Sequence, residues 1–175
     1  MNIFALDEDP RAAARCLCDK HVPKMCVESA QMMASALLRH GAEPEQMPNT
    51  KSGTPYKGGY HHHPCTVWAG NNRGNYHWLA AHAAELCRAY TDRFDKAHAC
   101  EAPIHHMQNM IDWLPDGLIT PHAQAMPDYY KRDYHVRAYR EYYMGDKMHF
   151  ARWDHGPAPL WLRIGAVNYV RDSCR

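Results

Sequence analysis

The sequence predicts a mostly α-helical protein: a compact, single-domain irregular helical bundle with two long loops, spanning residues 1–175. Two observations favour this fold class. Apolar side chains recur at helical spacing in several windows, and proline or glycine residues stand at positions typical of helix ends. A chain of 175 residues with 46% hydrophobic and 22% charged residues can also bury a substantial core in one domain.

The first two helices are marked by their start signals. Asp9 is a favourable N-cap and Pro10 suits the first helical position, so a helix is expected to begin there. It should end near residues 20–22, because Pro23 disfavours helical geometry in the residue before it. A second helix is expected from about Pro23 to His40. Its apolar face would comprise Met25, Val27, Met32, Met33, Ala36 and Leu37.

The remaining helices follow from the same signals. They are predicted over residues 64–69, from an Asn71 or Asn72 cap to about Phe94, and at about 102–114 and 133–144. The stretches 41–63 and 118–132 are irregular and are predicted to be loops. Loops of this length in a compact domain are usually functional or mobile. Near the end of the chain, residues 164–170 fit either a strand or a last helical turn.

Charge and cysteine usage indicate the compartment. The net charge of +1 is a weak argument for or against nucleic-acid binding. The seven cysteines are an odd number without paired spacing, and the N-terminus lacks the basic region of a signal peptide. Free thiols in a reducing, cytoplasmic setting are therefore expected. No window approaches 18 uninterrupted apolar residues, so no membrane span is expected.

Residues 19–31 form the most informative segment. On a helix that starts at Pro23, Lys24 and Glu28 are four residues apart and share a face, with His21 close by. An amine beside a carboxylate is the minimum equipment for imine-forming chemistry with a general acid or base. The alternative is an ordinary surface ion pair, worth about 0.3–0.5 kcal/mol.

The C-terminal third combines basic and aromatic side chains. Between Lys131 and Arg163, lysine and arginine outnumber aspartate and glutamate, and tyrosine and tryptophan residues alternate with them. The aromatic rings could form the core and rim of a small helical domain. Together with the basic residues, they could instead bind a nucleic-acid backbone and stack on its bases.

Histidine and cysteine residues raise a metal hypothesis that their spacing does not favour. Cys65 and Cys100 each follow a histidine by two positions, which is tighter than the usual zinc-ligand spacing. His82 and Glu85 share a helix face, but the additional carboxylates of a di-metal site are missing. A Cys65 nucleophile with His63 as its base has no support from spacing either. No metal and no cofactor are therefore expected, although a His/Cys metalloprotein stays open as a third class.

Residues 19–22, Asp-Lys-His-Val, are followed by Glu28 seven positions after the histidine. This arrangement resembles the early region of the phage pyrimidine-dimer DNA glycosylases of the endonuclease V type. In that family an Asp-Gln-His-Leu run stands at the same separation from the catalytic glutamate. The family's late tyrosine-rich basic segment resembles residues 139–147. The chain is also similar to a group of uncharacterised phage-type proteins, including its stretches 62–69, 75–79 and 120–127.

The resemblance implies a small all-α DNA glycosylase and lyase that acts on damaged or modified pyrimidines in double-stranded, lesion-containing DNA, in the cytoplasm of a phage-infected bacterial host. Glu28 would stabilise the opened sugar and handle protons, and His21 would help to orient the DNA. The family's nucleophile is the α-amino group exposed after Met removal. Here Asn2 is bulky for that removal, and His21 lies further from the terminus, so the Met1 amine or a buried Lys24 would attack.

The candidate substrate-binding residues lie in the second loop and the last predicted helix. They are His122, Gln124, Arg137, Arg140, Tyr143 and Lys147. His122 and Gln124 lie between two prolines, which stiffen the loop for recognition of a small planar group. A non-catalytic helical DNA- or protein-binding accessory protein is the main alternative to the enzyme. The sequence does not indicate an oligomeric state.

Overall fold

The computed structural model describes residues 1–162, and this part of the chain is mostly helical with no β-sheet. The α-helices are α1 (Pro10–Cys16), α2 (His21–Arg39), α3 (Pro64–Ala69), α4 (Arg73–Phe94), α5 (Glu101–Gln108) and α6 (His135–Asp146). Short 3-10 turns occupy Pro44–Gln46, Ile111–Trp113 and Asp128–Tyr130. The predicted fold class is confirmed.

Helices α2 and α4 form the centre of the molecule. They pack along each other, α1 packs on α4, and α3 and α5 contact both. Met25, Met32 and Leu37 of α2 are fully buried, as are Leu79 and Leu86 of α4. Each such side chain contributes about 1.5–3 kcal/mol when it leaves water. This packing fixes the position of α2, the helix that carries His21 and Glu28.

The junction between α1 and α2 differs from the expected one. Helix α1 ends at Cys16, where Leu17 adopts an extended conformation, rather than near residues 20–22. Helix α2 begins at His21, two residues before Pro23. A proline is tolerated there because the first amide groups of a helix have no intrahelical acceptor. His21 therefore lies in the first turn of α2 rather than in a connecting loop.

The two predicted irregular stretches are confirmed as loops with short 3-10 turns, and each is fastened to a central helix. Gly59 N–H donates to Ser35 Oγ (2.8 Å), and Ser35 Oγ donates back to the Gly59 carbonyl (3.0 Å). Thr120 N–H donates to Asn75 Oδ1 (2.8 Å). A Cβ atom on Gly58, whose φ is +69°, would lie 2.3 Å from Ser35 Oγ. Glycine is therefore required there for both its conformation and its size.

Further expectations concern the thiols, α5 and the chain end. Cys16, Cys18, Cys26, Cys65, Cys87 and Cys100 are free thiols, as expected. The helix predicted at 102–114 ends at Gln108 and continues only as a 3-10 turn. The segment 164–170, expected to be a strand or a helical turn, lies outside the described residues. None of the helices over residues 1–162 has the length and apolar character needed to cross a membrane.

Candidate active site

The first residues of the chain are tied down by the side chain of Asn2. Its Oδ1 accepts hydrogen bonds from the backbone N–H groups of Ile3 (2.8 Å) and Phe4 (3.2 Å), and its Nδ2 donates to the Ala125 carbonyl (2.8 Å). Phe4 has a left-handed φ of +54°, which a non-glycine residue adopts only when its surroundings impose it. The terminus is thereby held against the loop around residue 125.

This anchoring brings the α-amino end of the chain to Glu28. The Met1 nitrogen lies 3.8 Å from Glu28 Oε2, and the Asn2 backbone N–H donates to the same oxygen (2.9 Å). Lys24 Nζ lies 3.6 Å from the other oxygen, Oε1. The Glu28 side chain is only 13% exposed, whereas that of Lys24 is 62% exposed. Lys24 therefore lacks the burial expected of a lysine nucleophile.

Glu28 lines a pocket of about 310 Å³ that is open to solvent on one side. The lining residues are Met1, Asn2, Phe4, Lys20, His21, Lys24, Met25, Glu28, Tyr142, Lys147 and Phe150. Lys20 Nζ lies 4.8 Å from the centre of the Phe150 ring, and Lys147 Nζ lies 4.4 Å from that of Tyr142. Lysine side chains thus outnumber the one carboxylate of this pocket, which favours an anionic ligand.

His21 forms part of the pocket wall. Its ring stacks on Phe4 with centroids 4.8 Å apart, and its Nδ1 lies 2.8 Å from the hydroxyl oxygen of Tyr143. Burial, reinforced by three neighbouring lysine ammonium groups, lowers the pKa of His21 to about 4. His21 is therefore neutral at physiological pH.

The structure groups only some of the predicted site residues. Met1, His21, Lys24, Glu28 and Lys147 line one pocket. Tyr143 lies directly behind His21 and contacts it through its hydroxyl group. The seven-residue separation of His21 and Glu28 places both on one side of α2, because it corresponds to about two helical turns.

His122 and Gln124 do not line this pocket. The buried ring of His122 stacks on Trp68, with centroids 4.2 Å apart. Gln124 is bonded to the backbone of Arg132: its Nε2 donates to the Arg132 carbonyl (2.6 Å), and its Oε1 accepts from the Arg132 N–H (3.0 Å). These two side chains hold the shape of the 118–132 loop, whose Ala125 carbonyl anchors the N-terminus.

The predicted arginines are also engaged elsewhere than in the pocket lining. Arg140 donates to the Leu6 carbonyl (2.8 Å) and to the Asp7 carboxylate (3.1 Å), which fastens α6 to the N-terminal segment. Arg137 is exposed and pairs with Glu141 one helical turn away (2.7 Å). Both arginines therefore bind other parts of the protein in this structure, and both lie at the surface of α6.

Spacing rules alone do not identify several residues that the structure places at the pocket. Asn2 and Phe4 belong to a short apolar entry that carries no motif, and Phe150 lies beyond the last predicted helix. Tyr142 belongs to the tyrosine-rich segment but was not separated from its neighbours by the sequence. These residues are identified by the three-dimensional structure, which shows the N-terminus held in place beside the Glu28 carboxylate.

One group of potential metal ligands lies away from this pocket. Cys26 Sγ, Cys87 Sγ and a ring nitrogen of His98 lie within 4.8 Å of one another. The Cys100 N–H donates to His98 Nδ1 (3.1 Å), which leaves the ring proton of the neutral imidazole on Nε2. A hydrogen bond between the thiols, together with burial, raises the pKa of Cys26. Metal binding at this group would have to break the hydrogen bond between the two thiols and displace the thiol protons.

The thiol and imidazole at the start of α3 have structural roles. His63 Nδ1 accepts a hydrogen bond from the backbone N–H of Cys65 (3.2 Å) and so caps the helix. Burial raises the pKa of Cys65 to about 11, which keeps the thiol protonated. This arrangement does not activate Cys65 as a nucleophile.

The fold and pocket define a class of small helical protein in which the terminal amine lies beside a shielded carboxylate. Comparison with known families gives a match to the pyrimidine dimer DNA glycosylase family over residues 1–102. Because this match covers more than half of the 175 residues, the chain belongs to that family. No match was found among curated proteins or solved structures. The resemblance expected from residues 19–28 is thereby confirmed.

Proposed function

We propose that this protein is a DNA glycosylase and lyase acting on damaged or modified pyrimidines, with the α-amine of its terminal residue as nucleophile and Glu28 as general acid and base. One observation carries the proposal. In a member of the pyrimidine dimer DNA glycosylase family, the terminal amine lies 3.8 Å from a largely shielded carboxylate inside an electropositive pocket.

The chemistry needs an uncharged amine and a nearby proton acceptor. The amine attacks C1′ of the damaged nucleotide, and the bond from C1′ to the base breaks; the base leaves with the bonding electrons and takes up a proton. Glu28 accepts the proton that the amine loses and returns it to O4′ as the C1′–O4′ bond opens to an imine. Its carboxylate stabilises the positive iminium. Loss of a C2′ proton then breaks the C3′–O bond and releases the phosphate, and water hydrolyses the imine.

The structure favours the α-amine over Lys24 as the attacking group. If Met1 is retained, its nitrogen is already 3.8 Å from Glu28 Oε2; if it is removed, the Asn2 nitrogen lies 2.9 Å from the same oxygen. α-Amines lose their proton at lower pH than lysine side chains, so more of the nucleophilic form is present. Lys24, at 62% exposure, is not desolvated in the way that activates lysine nucleophiles.

The lysine side chains around the pocket supply the contacts to the DNA backbone. Lys20, Lys24 and Lys147 line the pocket, and their ammonium groups are opposite in charge to the phosphates of a DNA strand. An extruded nucleotide would enter the pocket between them, close to Tyr142 and Phe150. His122 and Gln124 act indirectly in this proposal, because they hold the loop whose carbonyl anchors Asn2.

Borohydride trapping tests the proposal. Protein is incubated with a duplex that contains a pyrimidine dimer, the imine is reduced, and the adduct is mapped by mass spectrometry of proteolytic peptides. We expect an adduct on the terminal residue and its loss in the Glu28→Gln variant. Glu45→Gln, at an exposed position in the 41–63 loop, is the matched control. A Lys24 adduct would contradict the assignment of the nucleophile, and full trapping by Glu28→Gln would contradict the role of Glu28.

The same experiment addresses the accessory-protein alternative. The basic and aromatic side chains at the pocket rim would also suit a protein that binds DNA without cutting it. Tight binding of the damaged duplex with neither strand cleavage nor a trapped imine would favour this alternative over the enzyme.

A further inference from the structure

We infer that Tyr143 is a positioning residue that fixes the tautomer of His21, so that His21 presents its Nε2–H to the pocket as a neutral hydrogen-bond donor. The group it would bind is a phosphate oxygen of the substrate's sugar–phosphate chain, and this part of the inference rests on the proposed function. The tautomer itself follows from the hydrogen bonds around the two rings.

The Tyr143 hydroxyl is buried and has one proton to donate. Its oxygen accepts a hydrogen bond from the backbone N–H of Cys18 (3.1 Å). Two acceptors lie within reach of its own proton: His21 Nδ1, at 2.8 Å, and the sulfur of Cys18. The imidazole nitrogen is the stronger acceptor, because a thiol sulfur accepts hydrogen bonds only weakly. Because a buried hydroxyl group uses its proton in a hydrogen bond, Tyr143 donates to Nδ1. The ring proton of neutral His21 is then on Nε2.

This geometry excludes two other uses of the imidazole. The lone pair of Nδ1 is occupied by Tyr143, and Nε2 carries a proton, so the neutral ring has no free nitrogen that could act as a base. Burial and the surrounding lysines lower the pKa of His21 to about 4, so at neutral pH the ring is not a charged acid either. His21 lines the pocket, and its Nε2 has no hydrogen-bond partner among the described residues.

The surroundings of His21 select the ligand chemistry. Its ring lines a pocket that Lys20, Lys24 and Lys147 also line. Glu28, the carboxylate of the pocket, is engaged by the Asn2 backbone N–H, the Met1 nitrogen and the ammonium group of Lys24. A phosphate oxygen accepts hydrogen bonds from a neutral N–H and from ammonium groups together, which matches this set of donors.

Nuclear magnetic resonance tests the tautomer without any substrate. Long-range proton–nitrogen correlations of His21 in the intact protein should show a single tautomer with its proton on Nε2, and Tyr143→Phe should produce a mixture. Tyr76→Phe is the matched control, because it also removes a fully buried tyrosine hydroxyl, one that donates to the Met107 carbonyl (2.8 Å). A proton on Nδ1 in the wild-type protein would overturn the assignment.

A second measurement tests the donor role. Affinity is measured for a duplex that contains a tetrahydrofuran abasic site, which retains the phosphates but cannot form an imine. His21→Gln keeps an N–H donor of similar reach and should bind within about threefold of wild type, whereas His21→Leu should lose about ten- to a hundredfold. Tyr143→Phe should raise KM for cleavage more than it lowers kcat, and thermal melting confirms that each variant is folded.

The outcomes separate the two proposals. Equal losses in His21→Gln and His21→Leu would overturn the donor role, even if the wild-type protein cleaves damaged DNA. Conversely, if the wild-type protein traps no imine but binds the duplex as described, the glycosylase and lyase function fails while the Tyr143–His21 assignment stands.

Discussion

Among the described residues, two groups of histidine and aromatic side chains use the same residue types differently. At the pocket, His21 stacks on Phe4, its Nδ1 lies 2.8 Å from the Tyr143 hydroxyl oxygen, and its side chain lines the pocket. Its low pKa accompanies a defined hydrogen-bond partner and a position in the pocket wall. We refer to this group as the pocket cluster.

The second group lies in the interior and consists of His82 and His122 with Trp68 and Trp78. His82 stacks on Trp78 (5.2 Å between centroids), and His122 lies between the two indole rings. Neither ring nitrogen of either histidine has a hydrogen-bond partner within residues 1–162. Burial lowers the pKa of both histidines to about 3. We refer to this group as the interior cluster.

The comparison shows that a lowered histidine pKa does not by itself identify a functional site. Burial produces the shift in both clusters, because it penalises the charged imidazolium wherever the ring is packed. What distinguishes the pocket cluster is a hydrogen-bond partner for the ring and a position in the same pocket as a carboxylate and an amine. The interior cluster fills space and leaves polar nitrogens without partners.

The largest expected effect comes from removing the α-amine at the pocket cluster. A short extension in front of Met1 would displace the amine from Glu28 and should reduce imine trapping by about a thousandfold or more, because nucleophile and carboxylate no longer meet. The same extension at the C-terminus serves as the control. Undiminished trapping by the N-terminally extended protein would assign the chemistry to another amine. The amine beside Glu28 would then no longer distinguish the pocket cluster from the interior cluster.

Apolar substitution in the interior cluster should act on stability alone. His82→Leu or His122→Leu removes buried nitrogens that lack partners, and we expect a gain of about 1–3 kcal/mol in the free energy of unfolding. Urea denaturation measures this gain. Imine trapping should be unchanged, because a buried leucine fills most of the space of either ring and so keeps the 118–132 loop packed. His21→Leu is the matched pocket variant, for which DNA affinity should fall. A loss of trapping in His122→Leu would instead restore His122 as a site residue.

Acid should destabilise the protein through the same interior histidines. Their pKa is about 3 in the folded state and near 6.5 in an unfolded chain. Above pH 6.5 both states are neutral, so the contribution to stability is complete. As pH falls from 6.5 towards 3, only the unfolded chain binds protons, and stability decreases by up to about 1.4 kcal/mol per pH unit for each histidine. Urea denaturation at several pH values should show a shallower slope for His82→Leu; an identical slope would contradict the assignment.

The smallest effect is expected at the edge of the pocket. Lys24→Met should retain the trapped adduct on the terminal residue and weaken DNA binding only a few-fold. The slope of log affinity against log salt should decrease by about one, as for the loss of one phosphate contact. Lys51→Met, at an exposed position of the 41–63 loop, is the control. Abolished trapping in Lys24→Met would assign Lys24 a direct chemical role.

The sequence predicts the helical part of the fold well where local signals are strong. Helix α3 has the expected bounds, and Asn72 caps α4, which ends at Phe94 as expected. The inward face of α2 is predicted except for Val27, whose side chain is 41% exposed. Val27 lies at the margin of the apolar stripe, and only the neighbouring helices decide how wide a stripe is covered.

Within the site, the proximity of His21 and Glu28 can be predicted from the sequence. Which of the two amines near Glu28 is the more shielded from solvent cannot be predicted in this way. The separation of seven residues on one helix puts both side chains on the same face, so their proximity is a local property. Lys24 shares that face by the same rule, but spacing cannot tell that its side chain stays in solvent. Likewise, His122 lies in a loop of promising composition, yet its ring packs into the interior.

By itself, the sequence determined the helix-forming segments, the apolar faces and the family-like run ending at Glu28, because each depends on residues within a few turns of one another. Only the tertiary structure decided that the α-amine joins Lys24 beside Glu28. That position depends on contacts between distant segments, such as Asn2 with Ala125 and His21 with Tyr143, which are 123 and 122 residues apart. Local periodicity does not encode such contacts, because they form only when the packed core brings the segments together.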